Sequence, residues 1–98
     1  MVKHIILWTL RPELSAEEKA EVKKGIKEGL EGLVGVVPGL LKVNVQTEML
    51  ESSNADVMLY SELESEEALK GYQKHPAHVK VADEKVRPFM QTRLCMDY

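Results

Sequence analysis

The chain has 98 residues, 44% of them hydrophobic and 30% charged, and carries 13 Lys and Arg against 16 Asp and Glu for a net charge of −3. That length suits one domain with a modest core, and the acidic balance argues against a nucleic-acid surface, which needs clustered cations. The single cysteine, Cys95, excludes an internal disulfide and gives no sign of an oxidising compartment. The N-terminal apolar run is too short to span a membrane and lacks a cleavage-site pattern, so a cytoplasmic protein with no membrane partner is expected.

Val2 to Leu10 is rich in β-branched and aromatic residues and stops at Arg11-Pro12, which predicts a strand. Alternation places His4, Ile6, Trp8 and Leu10 on one face and Ile5 and Leu7 on the other. A strand apolar on both faces must be covered on both. Ser15-Ala16-Glu17-Glu18 forms a capping box and opens a helix expected to run to about Val34. Val22, Ile26, Leu30 and Leu33 recur at helical spacing as its buried stripe. Gly25, Gly29 and Gly32 border that stripe, each costing about 1 kcal/mol against alanine. They indicate either close packing against a neighbour or a loosely held helix.

After Pro38-Gly39, the segment 40–47 predicts a second strand with Leu41, Val43 and Val45 on one face. Ser52-Ser53-Asn54 is a turn. Asp56 to Leu63 predicts a third strand, antiparallel to the second, with Val57, Leu59 and Leu63 on one face and Met58 and Tyr60 on the other. Ser65 caps a second helix whose first turn is acidic and whose inner side is Ala68, Leu69 and Tyr72. Pro76 ends it, and a short helix restarts at that proline and continues to Val86, before Pro88. Phe89 to Tyr98 predicts a fourth strand, with Met90, Thr92, Leu94, Met96 and Tyr98 facing away from Gln91, Arg93, Cys95 and Asp97.

The order βαββαβ implies an α+β, ferredoxin-like domain spanning residues 1–98, with a four-stranded antiparallel sheet. Two helical segments cover one sheet face. The apolar residues on the other need a partner, and a two-fold homodimer through that face is the simplest.

Tyr72-Gln73-Lys74-His75-Pro76-Ala77-His78-Val79, with the opening Lys3-His4-Ile5-Ile6-Leu7 and the closing Asp97-Tyr98, resembles the stress-responsive A/B barrel (Dabb) family over the whole chain. The resemblance implies a ferredoxin-like monomer paired into a dimeric α/β barrel. Members include proteins with no assigned activity, plant stress proteins, and a polyketide cyclase that closes an aromatic ring by aldol condensation. Likeness to that cyclase implies pocket roles for Tyr72 and His78, bordered by His4. Where the cyclase has a further pocket histidine this chain has Val57, and where it has a pocket tyrosine this chain has Ile26. Those departures point away from the cyclase's own substrate. The same fold also serves small monooxygenases that need no cofactor, and no cofactor is expected here.

On chemistry alone, His78 suits a general base, and the Tyr72 hydroxyl suits a donor to a carbonyl or developing enolate. A structural reading stands beside this one. His75 then caps the helix restart, His78 bonds a loop, and Tyr72 packs between helix and sheet. His4, Ile6, Trp8 and His75 are the candidate ligand contacts, although core filling is the more common use of such residues. His75 and His78 have metal-compatible spacing, but no third ligand is evident nearby, so no metal is expected. Two function classes follow: a barrel binding a small, mostly apolar ligand, and a cofactor-independent enzyme acting on one. They differ in whether Tyr72, His78 and His4 converge on one cavity.

Overall fold

The computed structural model describes residues 1–98. Its centre is strand β1, Val2–Leu10. Residues 40–46 form β2, 57–63 form β3 and 90–97 form β4. The sheet order is β2-β3-β1-β4 with every neighbour antiparallel, the ferredoxin-like arrangement expected from βαββαβ. Along β1, His4, Ile6, Trp8 and Leu10 are buried while Leu7 is exposed, as alternation demands.

The helices lie on the buried face. Helix α1 (Ala16–Glu31) starts with the complete capping box, Ser15 accepting from the Glu18 N–H and Glu18 accepting from the Ser15 N–H. Ile26 and Leu30 lead its core contribution. Of its glycines, Gly29 reflects close packing, since a Cβ there would sit 2.8 Å from Val81 Cγ1, whereas one at Gly25 would make only an ordinary contact with Lys85. Helix α2 (Glu66–Lys74) is capped by Ser65 and buries Leu69 and Tyr72. His75, at φ −63° and ψ 132°, ends α2 and caps α3 (Pro76–Val81), its Nδ1 accepting from the Ala77 N–H at 3.1 Å. Proline excludes helical geometry from the residue before it, so the break falls where expected. No helix is long and apolar enough to cross a membrane.

Four local expectations need correction. Helix α1 stops at Glu31, not Val34, because Gly32 closes it and the following turn carries Leu33 and Val37 into the core. In β2 a register shift between Leu40 and Lys42 turns Leu40 inward and leaves Leu41 exposed. After α3 the chain widens into a π-helical turn, Ala82–Val86, and then tightens into a 3₁₀ turn, Arg87–Phe89, so β4 begins at Met90. A second shift, between Thr9 and Leu10 of β1, breaks the alternation of β4 at its start and pairs Met90 with Leu10.

Gly39 sets the entry to β2. Its φ is +80°, and a Cβ there would lie 2.6 Å from the Ala68 Cβ of α2. Gly39→Ala is therefore expected to lose about 2 kcal/mol or more, from left-handed strain plus the clash. Gly71→Ala, in an open stretch of α2 with nothing near the added carbon, should instead gain up to about 1 kcal/mol. Denaturant unfolding of both variants checks the opposite signs.

Candidate functional site

A cavity of about 300 Å³ opens between the sheet and the helical layer. His4, Ile6 and Trp8 of β1 form its floor, with Leu59 from β3 beside them and Leu30 and Val86 from the helical side. His78 of α3 reaches it from above, and Arg87, Gln91 and Arg93 stand at its polar end. The expected ligand contacts His4, Ile6 and Trp8 thus come together with His78. His75 does not join them. It borders a separate groove with Pro38, Gly39 and Glu64, because its ring is turned outward by capping α3.

Tyr72 is fully buried and packs behind the histidines rather than in the cavity wall. Its ring centroid lies 4.3 Å from that of His78 and 6.1 Å from that of His4. The Tyr72 hydroxyl and His78 Nδ1 are both buried without a hydrogen-bond partner in the chain. Each such group costs about 1–3 kcal/mol of desolvation, and groups left unpaired inside a fold concentrate at places that do chemistry or hold a ligand or water. Burial pushes the Tyr72 phenol well above its ordinary range, so it is a donor at any ordinary pH. Burial pulls His78 below its usual 6.5, with the positive charges of Arg87 and Arg93 adding, and a nearby Gln73 carbonyl, not placed to make a hydrogen bond, opposing. His78 is accordingly neutral at pH 7 and able to accept a proton.

Sequence reasoning did not find what holds His4. Asp97, directly opposite it on β4, hydrogen-bonds its Nδ1, while the Ser61 hydroxyl donates to its backbone carbonyl at 3.0 Å. The signal was present, since both residues belong to the resembling ends of the chain, but their pairing depends on the β1–β4 register. Cys95 Sγ lies 3.9 Å from the same His4 nitrogen and 3.6 Å from Asp97 Oδ1. A nucleophile relay needs one ring nitrogen for the thiol and the other for the carboxylate. Here both meet Nδ1, and burial first, then Asp97, pushes the Cys95 thiol up. Cysteine, histidine and aspartate are each competent metal ligands and these three lie within 4.8 Å of one another. The direct His4–Asp97 contact, however, leaves no gap between two of the three. His75 and His78 face different spaces and do not form a ligand pair.

The family model of the stress responsive A/B barrel domain matches residues 2–98. A dimeric protein of unknown function and ferredoxin-like fold from Bacteroides fragilis is 33% identical and superposes with a TM-score of 0.93, covering 99% of this chain and 93% of that one. An Arabidopsis thaliana protein is 27% identical at a TM-score of 0.75, over 100% and 93% of the two chains. A hydroxynitrile lyase from Passiflora edulis shares the fold, with 15% identity and a TM-score of 0.73 over 99% and 90%. No curated protein sequence matches the chain.

The lowered His78 value has a sign that can be measured. Between 6.5 and the lower folded value, the unfolded chain binds a proton that the folded chain refuses, so stability is full above 6.5 and falls as pH drops through the folded value. Wild type should therefore lose more thermal stability than His78→Gln on acidification from about pH 7.5 to pH 5. The His78 resonances should titrate with a midpoint below 6.5.

Proposed function

This chain belongs to the stress responsive A/B barrel family, and we propose that it forms a homodimer that binds a small, mostly apolar ligand, aromatic or polyketide-like, in the cavity between sheet and helices. The observation that carries the ligand reading is the placing of His78. Its ring joins the apolar side chains of Ile6, Trp8, Leu30, Leu59 and Val86 in the cavity wall, its Nδ1 has no partner in the chain, and it packs against a tyrosine whose hydroxyl also has none. A mostly apolar pocket with a few convergent polar groups is the usual form of a small-molecule site.

The dimer reading rests on the other sheet face. Cross-strand pairing sets Tyr60, Ile5 and Met96 in one row and Met58, Leu7 and Leu94 in the next. Leu7, Leu94 and Met96 are 40%, 69% and 65% exposed in the single chain. Lys42, Glu62 and Lys3 follow at one end, giving an apolar band with a charged rim, as interfaces have. The similar Bacteroides fragilis protein is described as dimeric.

A second reading, supported by the neutral state of His78, is a cofactor-independent enzyme. His78 would take a proton from a carbon beside a carbonyl, while Tyr72, which packs behind it and outside the cavity wall, would hold the His78 ring rather than meet the enolate oxygen. Aldol ring closure of a polyketide-like chain begins with such a step, and oxygenation of an activated phenol would begin with loss of its O–H proton to the same base.

Two outcomes are expected. Sedimentation at micromolar concentration should give twice the monomer mass, and Leu94→Asp should give the monomer; a wild-type monomer would refute the dimer. His78→Ala should weaken binding of aromatic ketones and phenols by about 1 kcal/mol or somewhat more, and abolish any turnover, with the fold intact by circular dichroism. Equal affinity in variant and wild type would leave His78 as scaffold.

A further inference from the structure

The charge in the cavity is one-sided. Both of its permanently charged side chains are arginines, Arg87 and Arg93, in a chain whose net charge is −3. The two are not equivalent. Arg87 is tied to Asp83 one helical turn back. Arg93 takes part in none of the chain's three ion pairs, those of His4, Lys27 and Arg87.

The backbone aims this end of the cavity. β4 tracks β1 with His4 opposite Asp97, Trp8 opposite Arg93 and Thr9 opposite Thr92, but Leu10 then faces Met90. Gln91 is the extra residue of a β-bulge. A bulge re-aims side chains that strict alternation would separate, and here Gln91, Thr92 and Arg93 all line the cavity in succession. The result is a guanidinium and a side-chain amide at one end of a pocket whose body is Ile6, Trp8, Leu30 and Leu59. Trp8 lies directly across from Arg93 on the same sheet face, within the spacing at which paired side chains touch.

We propose that Arg93, with Gln91 beside it, receives a carboxylate carried by the ligand, so that the ligand is an apolar or aromatic acid and not its neutral counterpart. This rests on the cavity being the ligand site and names the class of ligand it takes. The guanidinium offers a planar fork of N–H donors matched to the two oxygens of a carboxylate. The Gln91 amide adds a neutral donor that binds either form. The acid's body then lies along Trp8 toward His78. A carboxylate seated there also offsets the positive charge that Arg93 and Arg87 exert on the His78 ring, so an acid, unlike its amide, should raise the His78 titration midpoint.

The test uses the full chain and matched probes: naphthoate against naphthamide, and phenylbutyrate against phenylbutanamide, titrated calorimetrically into wild type and Arg93→Gln. The Arg93 side chain is exposed, and an unchanged melting temperature verifies that the variant folds. In wild type each acid should bind about ten-fold or more tightly than its amide, as expected for a charge-assisted pair. Arg93→Gln should erase that preference while leaving the amides' affinity as it was, and only the acids should shift the His78 midpoint. Equal affinity of acid and amide in wild type, or a preference that survives in Arg93→Gln, overturns the proposal while the cavity reading stands. If neither member of either pair binds, both fall together.

Discussion

The structure depends on one strand that is apolar on both sides. β1 sits between β3 and β4 and alternates His4, Ile6 and Trp8 toward the helices with Ile5 and Leu7 toward the outside. The chain has enough helix for one face only. Burying Ile6, Trp8 and Leu10 under α1 and the helical segments after β3 uses all of it, and leaves the rows through Ile5 and Leu7 without helical cover. The same constraint positions the site. A polar residue on the inner face of β1 is forced into the core wherever the helices seal it, and reaches a ligand only where they do not. His4 is that residue, and it is held by Asp97 from the edge strand.

The helices fail to seal at the proline. A continuous helix from Glu66 would lay one even row of side chains along the sheet. Pro76 prevents it, since the ring removes a donor and forces His75 to extend, and the axis restarts in a new direction. Tyr72 on the last turn before the break and His78 on the first turn after it are thereby stacked at 4.3 Å, a contact that same-helix geometry at six residues apart would not give. The π-helical turn at 82–86 prolongs the departure. Wide turns of this kind cluster at functional sites, and both of its buried residues, Ala82 and Val86, line the cavity. Two irregularities of the helical layer and one bulge in β4 therefore surround a single space.

Residues whose environment is set by local pattern were legible from sequence. The capping box at Ser15, the break at His75-Pro76, the faces of β1 and β3 and the ferredoxin-like order all follow from spacing and proline or capping chemistry within a few residues. What was not legible depends on register between distant segments. Leu40 rather than Leu41 points inward because β2 slips by one against β3, a shift that leaves the same alternating letters in the sequence. Gln91 and Thr92 reach one cavity for the same reason in β4. The His4–Asp97 pair joins residues 93 positions apart, and nothing near either residue announces it. His75 carried the right residue type for a ligand contact, but the cap it provides uses its ring nitrogen and turns it to another groove.

Electrostatics link the floor of the cavity to its mouth. An acidic chain that places Arg93 and a half-buried His78 on one cavity sets up a field that would work in opposite directions on two kinds of guest. A neutral guest would dry the site further and keep His78 unprotonated. On the proposed reading, an anionic guest would offset the arginine's field and favour the imidazolium. The Tyr72 phenol is the same in both cases, because burial keeps its proton in place and it can only donate. On the proposed reading, the state of His78 would thus turn on the charge of the guest as much as on the residues that surround it, and Arg93 would be the side chain through which that charge is felt.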